Sequence, residues 1–198
     1  MKRRSFIATL LAGAMAFALG GCGRSGPRFH SVDITGAEYA KGFSLTDHTG
    51  AARTLADYKG KVVTVFFGFT HCPDVCPTSL ATMKQALTLL GPDAARVQVL
   101  FITLDPERDT GELLAAYVPQ FDPSFVGLRG DAAATAAAAK EYKIFYQKVA
   151  GKTPDSYTLD HSAGTYVHDA QGHVRLFIRH GETPQKIADD LKALLAQG

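Results

Sequence analysis

The side chains best suited to chemistry are two cysteines, Cys72 and Cys76, in the run Gly68-Phe-Thr-His-Cys-Pro-Asp-Val-Cys-Pro77. Thiolates are nucleophiles and soft metal ligands. The chain has three cysteines, and the third, Cys22, lies in the N-terminal segment. A single close pair indicates a redox site, a metal site or both, because disulfide frameworks use several pairs. If positions i and i+4 share a helical turn, both sulfurs face one side.

The elements next to the pair predict how it is positioned. Residues 61–69 and 96–104 are apolar runs rich in β-branched and aromatic residues, which predicts two strands buried on both faces. The cysteines follow the first run, in a predicted turn over residues 72–77. A helix is then predicted from Thr78 or Ser79 to Leu90, with Pro77 at its first position. At least one thiol is expected to have a lowered pKa there, because the N–H groups at a helix start favour anions.

The order of the remaining elements predicts the fold class. They are a β-hairpin over residues 43–55 with its turn at 48–50, helices over 110–117 and 131–142, extended segments over 125–128 and 144–149, a β-hairpin over 164–179, and a helix from Thr183 to about Ala196. Strands that alternate with helices indicate a parallel core, to which the last hairpin adds antiparallel strands. We therefore predict one α/β domain over residues 36–198. Its fold is expected to be thioredoxin-like, with an N-terminal β-hairpin and an insertion before the final β-hairpin.

The third candidate ligand is His161, in the run Asp160-His161-Ser162. In a thioredoxin-like fold the loop before the strand at 164–169 faces the cysteine pair, and His161 lies in that predicted loop. Imidazole binds copper in either oxidation state. His71 is a rival ligand, but adjacent residues project differently, so it ranks below His161. Asp160 either orients His161 through a hydrogen bond to the ring nitrogen that does not bind the metal, or is an exposed carboxylate.

Two further acidic positions have open roles. Asp74 either tunes the site or caps the turn between the cysteines. Residues 105–109, Asp-Pro-Glu-Arg-Asp, follow the second central strand. We expect a loop held by pairing of Arg108 with Asp109, with Asp109 or Thr110 capping the next helix, and no acid–base site.

The N-terminus predicts export and lipidation. Residues 1–5 are basic and Phe6–Leu19 is an apolar run of 14 residues, shorter than the roughly 20 that a membrane span needs. Leu19-Gly-Gly-Cys22 resembles a bacterial lipobox. We expect a lipoprotein signal peptide over residues 1–21, lipidated Cys22, a polar tether over 22–35, and a membrane-anchored domain facing the periplasm or another extracytoplasmic space. Arg3-Arg4 also resembles a twin-arginine signal, so two export routes stay open.

Three motifs together resemble the Sco/SenC family of copper proteins involved in cytochrome c oxidase assembly. They are residues 69–77, residues 103–110 and residues 157–162. The resemblance implies that Cys72, Cys76 and His161 bind copper, as Cu(I) and Cu(II). It also implies delivery of copper to the binuclear CuA centre of oxidase subunit II or to another copper protein, or reduction of the cysteines of the CuA centre.

Other functions fit parts of the same pattern. A thiol–disulfide reductase acting on exported proteins would use Cys72 and Cys76 as a redox-active pair without needing His161, so enzymatic turnover stays open. A peroxiredoxin would need Thr three residues before Cys76, where Pro73 stands. A Cys2His set also matches some zinc sites. Nucleic acid is not an expected partner, because the net charge of +2 falls to about −1 without the three basic residues at positions 2–4.

Overall fold

A computed structural model of the protein describes residues 28–153 and 156–198. The predicted signal peptide over residues 1–21, the twin-arginine pair, Cys22 and the first part of the tether lie outside the described residues. In the part that is described, no helix combines the length and apolar character needed to span a bilayer.

An eight-stranded sheet forms the centre of the domain, in the order β1-β10-β9-β4-β5-β6-β2-β3, and β7 and β8 form a separate two-stranded sheet. The strands are β1 (Val32–Asp33), β2 (Ser44–Asp47), β3 (Ala52–Thr54), β4 (Val62–Gly68), β5 (Val97–Thr103), β6 (Val126–Arg129), β7 (Tyr146–Ala150), β8 (Tyr157–His161), β9 (Thr165–His168) and β10 (Val174–Ile178). The helices are α1 (Val75–Leu90), α2 (Gly111–Tyr117), α3 (Ala132–Glu141) and α4 (Pro184–Leu195).

The parallel core predicted from the apolar runs is confirmed. Every residue of β4 and of β5 is buried, and the two strands pair in parallel. β6 continues the parallel part, whereas β9 pairs antiparallel with β4. The sheet with its four helices matches the predicted thioredoxin-like fold, in which β2 and β3 are the N-terminal hairpin and β7 and β8 precede the final hairpin.

Helix caps explain where the helices begin. The hydroxyl of Thr183 accepts from the N–H of Lys186, and Pro184 occupies the first helical position, as predicted for the last helix. Thr110 caps α2 in the same way. Cap residues can be found in a sequence because they satisfy N–H groups that have no partner inside the helix.

The predicted start of α1 was wrong by three or four residues. The helix begins at Val75, with Asp74 at the N-cap position, so Cys76 lies in its first turn and Pro77 is its third residue. Proline is tolerated there because the first four N–H groups of a helix lack an intrahelical acceptor in any case. The cysteine pair therefore spans the helix start and does not lie in a turn before it.

Two short strands form where the sequence indicated irregular chain. His161 is the last residue of β8, which pairs with β7, so the prediction of a loop at this position was wrong. Val32 and Asp33 lie within the segment predicted as a tether, and they pair with β10. The N–H groups of His30 and Ser31 each donate to the carboxylate of Asp190 over 2.8 Å, which fixes this part of the chain to α4.

Candidate metal centre

The cysteine pair is placed by the end of β4 and the beginning of α1. After Gly68 the chain turns, and the N–H of Cys72 donates to the carbonyl of Phe69. The N–H of Cys76 donates to the sulfur of Cys72 over 3.4 Å, which holds the two residues on the same side of the turn. Cys72 is half-buried, whereas Cys76 is fully buried. Both are free thiols.

Gly68 lets the sulfur of Cys76 pack against the end of the central strand. A Cβ atom at this position would lie 2.8 Å from Cys76 Sγ, 2.9 Å from a ring carbon of Phe101 and 3.0 Å from a ring carbon of Phe66. Real Cβ atoms essentially never come within 3.0 Å of another heavy atom, as the first two of these contacts would require. Glycine is required here for space, because any larger residue would push the sulfur away.

His161 points its ring into the same site from β8. Its Nε2 atom lies 3.5 Å from Cys76 Sγ, and its Nδ1 atom lies 2.9 Å from the carbonyl oxygen of Ser162. A carbonyl only accepts hydrogen bonds, so Nδ1 carries the proton and the lone pair of Nε2 faces the sulfur. Phe66 and Phe69 pack edge-on against the ring, with centroid distances of 6.3 and 5.9 Å. Burial lowers the pKa of His161, which favours the neutral form that can bind a metal.

The three candidate ligands converge. One ligand atom from each of Cys72, Cys76 and His161 lies within 4.8 Å of the other two. His71, the rival ligand, is not part of this cluster. Its Nδ1 atom lies 3.1 Å from the hydroxyl of Thr70 and 3.8 Å from a carboxylate oxygen of Asp109. The structure therefore brings together the set that includes His161.

The thiol of Cys76 differs from the expectation for a helix start. Burial raises its pKa, and the neighbouring Cys72 raises it further, against the lowering effect of a hydrogen bond with the backbone of Phe69. Desolvation of the thiolate therefore outweighs the favourable helix end. The expectation that at least one of the two thiols has a lowered pKa is therefore not met by Cys76. Without a cation nearby, this sulfur is held as a neutral thiol.

A buried aspartate supports the chain on which Cys72 lies. Asp109 is fully buried and accepts from the N–H of Thr70 over 3.0 Å and from its hydroxyl over 2.6 Å. It also accepts from the hydroxyl of Thr103, at the end of β5, over 2.6 Å. Arg108 pairs with Asp105 instead, so the predicted pairing of Arg108 with Asp109 was wrong. The sequence indicated an acidic loop, but no pattern in it predicted that the carboxylate of Asp109 is buried against the turn that leads to Cys72.

The strand carrying His161 is fixed to the same loop through Tyr157. The phenol of Tyr157 donates to Asp105 over 2.7 Å, and Arg108 donates to the carbonyl of Tyr157 over 2.9 Å. The guanidinium of Arg108 also lies 3.6 Å above the Tyr157 ring. These contacts tie β8 to the end of β5 and set the position of His161 four residues further on.

The two acidic residues with open roles lie at the edge of the site. The group that orients His161 is the backbone carbonyl of Ser162, whereas Asp160 is exposed and raises the pKa of His161 only through its charge. Asp74 is exposed at the N-cap position and accepts from the hydroxyl of Thr78 over 3.3 Å. Both carboxylates therefore contribute charge at the surface instead of direct support to a ligand.

The sequence of this chain is similar to those of known proteins. A sequence model described as SCO1/SenC matches residues 32–196. The mitochondrial SCO2 homolog of Bos taurus is 37% identical over 156 residues, which cover 78% of this chain and 59% of the bovine protein. The chain thus spans about three fifths of the length of that relative.

Solved structures show the same fold. ScoI of Bradyrhizobium japonicum with copper bound is 44% identical, with a TM-score of 0.72 over 78% of this chain and 98% of that one. Apo Sco1 of Thermus thermophilus is 38% identical, with a TM-score of 0.76 over 87% of this chain and all of that one. The family match over residues 32–196, on a fold shared with these structures, shows that the chain belongs to the SCO1/SenC family.

Proposed function

We propose that this protein is a copper chaperone that holds one copper ion with Cys72, Cys76 and His161 and delivers it to the CuA centre of cytochrome c oxidase subunit II. The observation that carries the proposal is the convergence of two sulfurs and one imidazole nitrogen within 4.8 Å of one another. The relatives support it, because copper is bound in the solved ScoI of Bradyrhizobium japonicum.

The spacing of the ligand atoms suits a three-coordinate ion. With metal–sulfur and metal–nitrogen bonds of about 2.3 and 2.0 Å, as at zinc sites, trigonal geometry places sulfur and nitrogen about 3.7 Å apart. The distance between Cys76 Sγ and His161 Nε2 is 3.5 Å, so these two atoms need little movement to share an ion. Two soft thiolates favour Cu(I), and the imidazole also suits Cu(II).

The exposure of the ligands suits release as well as binding. Cys76 is fully buried and Cys72 is half-buried. The sulfur of Cys76 would therefore bind the ion on its buried side, and an acceptor protein would approach the ion on the side of Cys72. A three-coordinate ion leaves room for a ligand of the acceptor. Copper can then pass by ligand exchange, in which a new bond forms before an old one breaks, without free copper being released.

Cellular position is the second part of the proposal. The apolar run over Phe6–Leu19 and the lipobox-like Leu19-Gly-Gly-Cys22 support a lipid anchor on Cys22, outside the cytoplasm. Delivery to a CuA centre on the outer face of the same membrane would then take place between two membrane-held proteins. Mass spectrometry of the membrane fraction tests the anchor, since lipidation adds the mass of the acyl chains to an N-terminal Cys22.

The proposal is tested by anaerobic copper titration and transfer with three reduced proteins. Wild type should bind one copper ion and load an apo-CuA domain. His161→Ala should lose tight Cu(II) binding, because one of three ligands is gone. His173→Ala is the matched control, since this histidine is 77% exposed in the turn between β9 and β10 and should behave as wild type.

The other outcomes point to other functions. Disulfide exchange with oxidised CuA cysteines but no bound copper in wild type would establish a thiol–disulfide reductase and overturn the chaperone. Zinc in freshly purified protein, not displaced by copper, would establish a zinc site. Copper binding without transfer would restrict the protein to a copper-binding role.

A further inference from the structure

A large aromatic side chain is exposed beside the metal centre. Phe145 is 60% exposed and directly precedes β7. The other large hydrophobic residues exposed in the described part of the chain are Val32 and Leu89. The apolar surface of Phe145 remains in water in the isolated domain, which forgoes the free energy that burial of a phenylalanine side chain would contribute.

The position of Phe145 relative to His161 follows from the β7–β8 ladder. Tyr146 is paired with His161, and the ladder continues one pair further, where the N–H of Ser162 donates to the carbonyl of Phe145 over 3.0 Å. The N–H of Phe145 donates to the hydroxyl of Ser162 over 3.2 Å. Paired residues on antiparallel strands have Cα atoms about 5.5 Å apart, so Phe145 lies within about 9 Å of His161 between Cα atoms.

The alternation of the strands directs Phe145 outward. Tyr146 and His161 share one face of the two-stranded sheet, and successive residues of a strand point to opposite faces. Phe145 therefore belongs to the outer face, which it shares with the exposed residues Gln147 and Asp160. Its side chain therefore points away from the face that carries His161, and its replacement leaves Cys72, Cys76 and His161 in the chain.

Copper transfer requires another protein to cover this region. If copper passes by ligand exchange, a ligand of the acceptor must come within a bond length of the ion held at Cys72 and His161. A standard protein interface buries about 800 Å² on each partner, equivalent to a disc of about 16 Å radius. A footprint of this size centred on the metal site extends beyond the Cα atom of Phe145, which lies within about 9 Å of the Cα atom of His161.

We propose that Phe145 is the docking anchor for the copper acceptor, and that the acceptor presents an apolar pocket beside its own copper ligands. This inference rests on the proposed copper-delivery function. Aromatic residues that become fully desolvated at the centre of an interface contribute most of the binding energy. Phe145 supplies such a group within one interface radius of the site, and most of its surface is exposed to solvent in the described domain.

The proposal is tested with Phe145→Ala and Phe145→Leu in the copper-loaded, reduced protein. The probe is the apo-CuA domain of oxidase subunit II, and the measurements are the second-order rate of copper transfer and the Kd for docking. Leu89→Ala is the matched control. Leu89 is 54% exposed but lies on α1, 13 residues after Cys76 and so about 20 Å further along the helix.

We expect Phe145→Ala to bind copper as wild type does and to transfer it about tenfold more slowly, the effect of losing an interface anchor. Phe145→Leu should keep most of the rate, and Leu89→Ala all of it. Wild-type transfer by Phe145→Ala, or equal slowing in Leu89→Ala, would overturn the docking proposal.

A separate measurement distinguishes failure of docking from failure of copper delivery. If wild type transfers no copper, the proposed function fails, but docking of the two reduced, copper-free proteins still gives a Kd. An unchanged Kd for Phe145→Ala, or no docking by wild type, would then also reject Phe145 as the anchor. A Kd about tenfold weaker for Phe145→Ala alone would retain it.

Discussion

Replacement of Gly68 by Ala should disturb the metal centre by displacing one sulfur. The added Cβ would lie 2.8 Å from Cys76 Sγ, 2.9 Å from Phe101 and 3.0 Å from Phe66, whereas ordinary contacts begin at 3.4 Å. The three neighbours must therefore move by about 0.4–0.6 Å. All three are buried, so none of them can move into solvent. Overpacking of this kind costs about 1–3 kcal/mol.

Two effects are expected from that displacement. The Tm of the copper-free protein should fall by about 2–12 °C, since 1 kcal/mol corresponds to about 2–4 °C for a domain of this size. Copper affinity should fall as well, because metal sites tolerate ligand errors of only about 0.2 Å. We expect a loss of about 10–100-fold, as seen when the groups supporting a metal ligand are removed.

Thermal unfolding by circular dichroism and anaerobic titration against a competing copper chelator measure the two effects. Gly111→Ala is the matched control, because a Cβ at Gly111 would meet nothing within 4 Å and the residue begins α2. It should be as stable as wild type or slightly more so. Gly68→Ala with the Tm and the copper affinity of wild type would refute the packing argument.

Three further predictions concern the surroundings of the site. Iodoacetamide at pH 8 should modify Cys72 before Cys76, because Cys76 is buried and its raised pKa keeps the thiolate scarce at that pH. Peptide mass spectrometry that finds Cys76 labelled first would contradict this. Asp109→Ala leaves three hydrogen-bond donors without their acceptor at a fully buried position. The free energy of unfolding measured in urea should therefore fall by about 1–3 kcal/mol or more. Wild-type stability of this variant would disprove the role of Asp109 in supporting the chain before Cys72. Tyr157→Phe loses only the hydrogen bond to Asp105 and should lower the free energy of unfolding by about 1 kcal/mol. Tyr157→Ala also loses the ring beneath Arg108 and should weaken copper binding as well. Equal copper affinity in the two variants would show that the contact of Arg108 with the Tyr157 ring does not position β8.

The central strands and the last helix could be predicted because their signals are local. Residues 61–69 and 96–104 are apolar on both faces, which only a strand covered from both sides can use. Thr183 and Pro184 mark the start of α4 through their own side chains. The candidate ligands were predicted differently. The order of elements brings the end of β4 near the chain that precedes β9 and so singled out His161, whereas the full ligand set was implied by the resemblance to the Sco/SenC family.

The short strands were missed because their stability depends on distant partners. Within β8 only Leu159 is buried, and β1 has two exposed residues. Such segments carry no strong apolar pattern and become strands only through pairing with β7 and β10. Sequence spacing does not identify those partners.

The electrostatics of Cys76 could not be predicted from its position in the chain. A helix start indicates a lowered thiol pKa, but the depth of burial decides the sign of the shift. Burial comes from Gly68 and the aromatic side chains beside it, which meet Cys76 only in the folded domain. The support from Asp109 was missed for the same reason, because an acidic loop is ordinarily exposed.

X-ray absorption spectroscopy of the Cu(I)-loaded protein tests the central claim most directly. We expect one copper ion per chain with two sulfur ligands at about 2.3 Å and one nitrogen ligand at about 2.0 Å. In His161→Ala the nitrogen shell should disappear while both sulfurs remain. A nitrogen shell that persists in His161→Ala, or a wild-type spectrum with sulfur ligands alone, would contradict a site made of Cys72, Cys76 and His161.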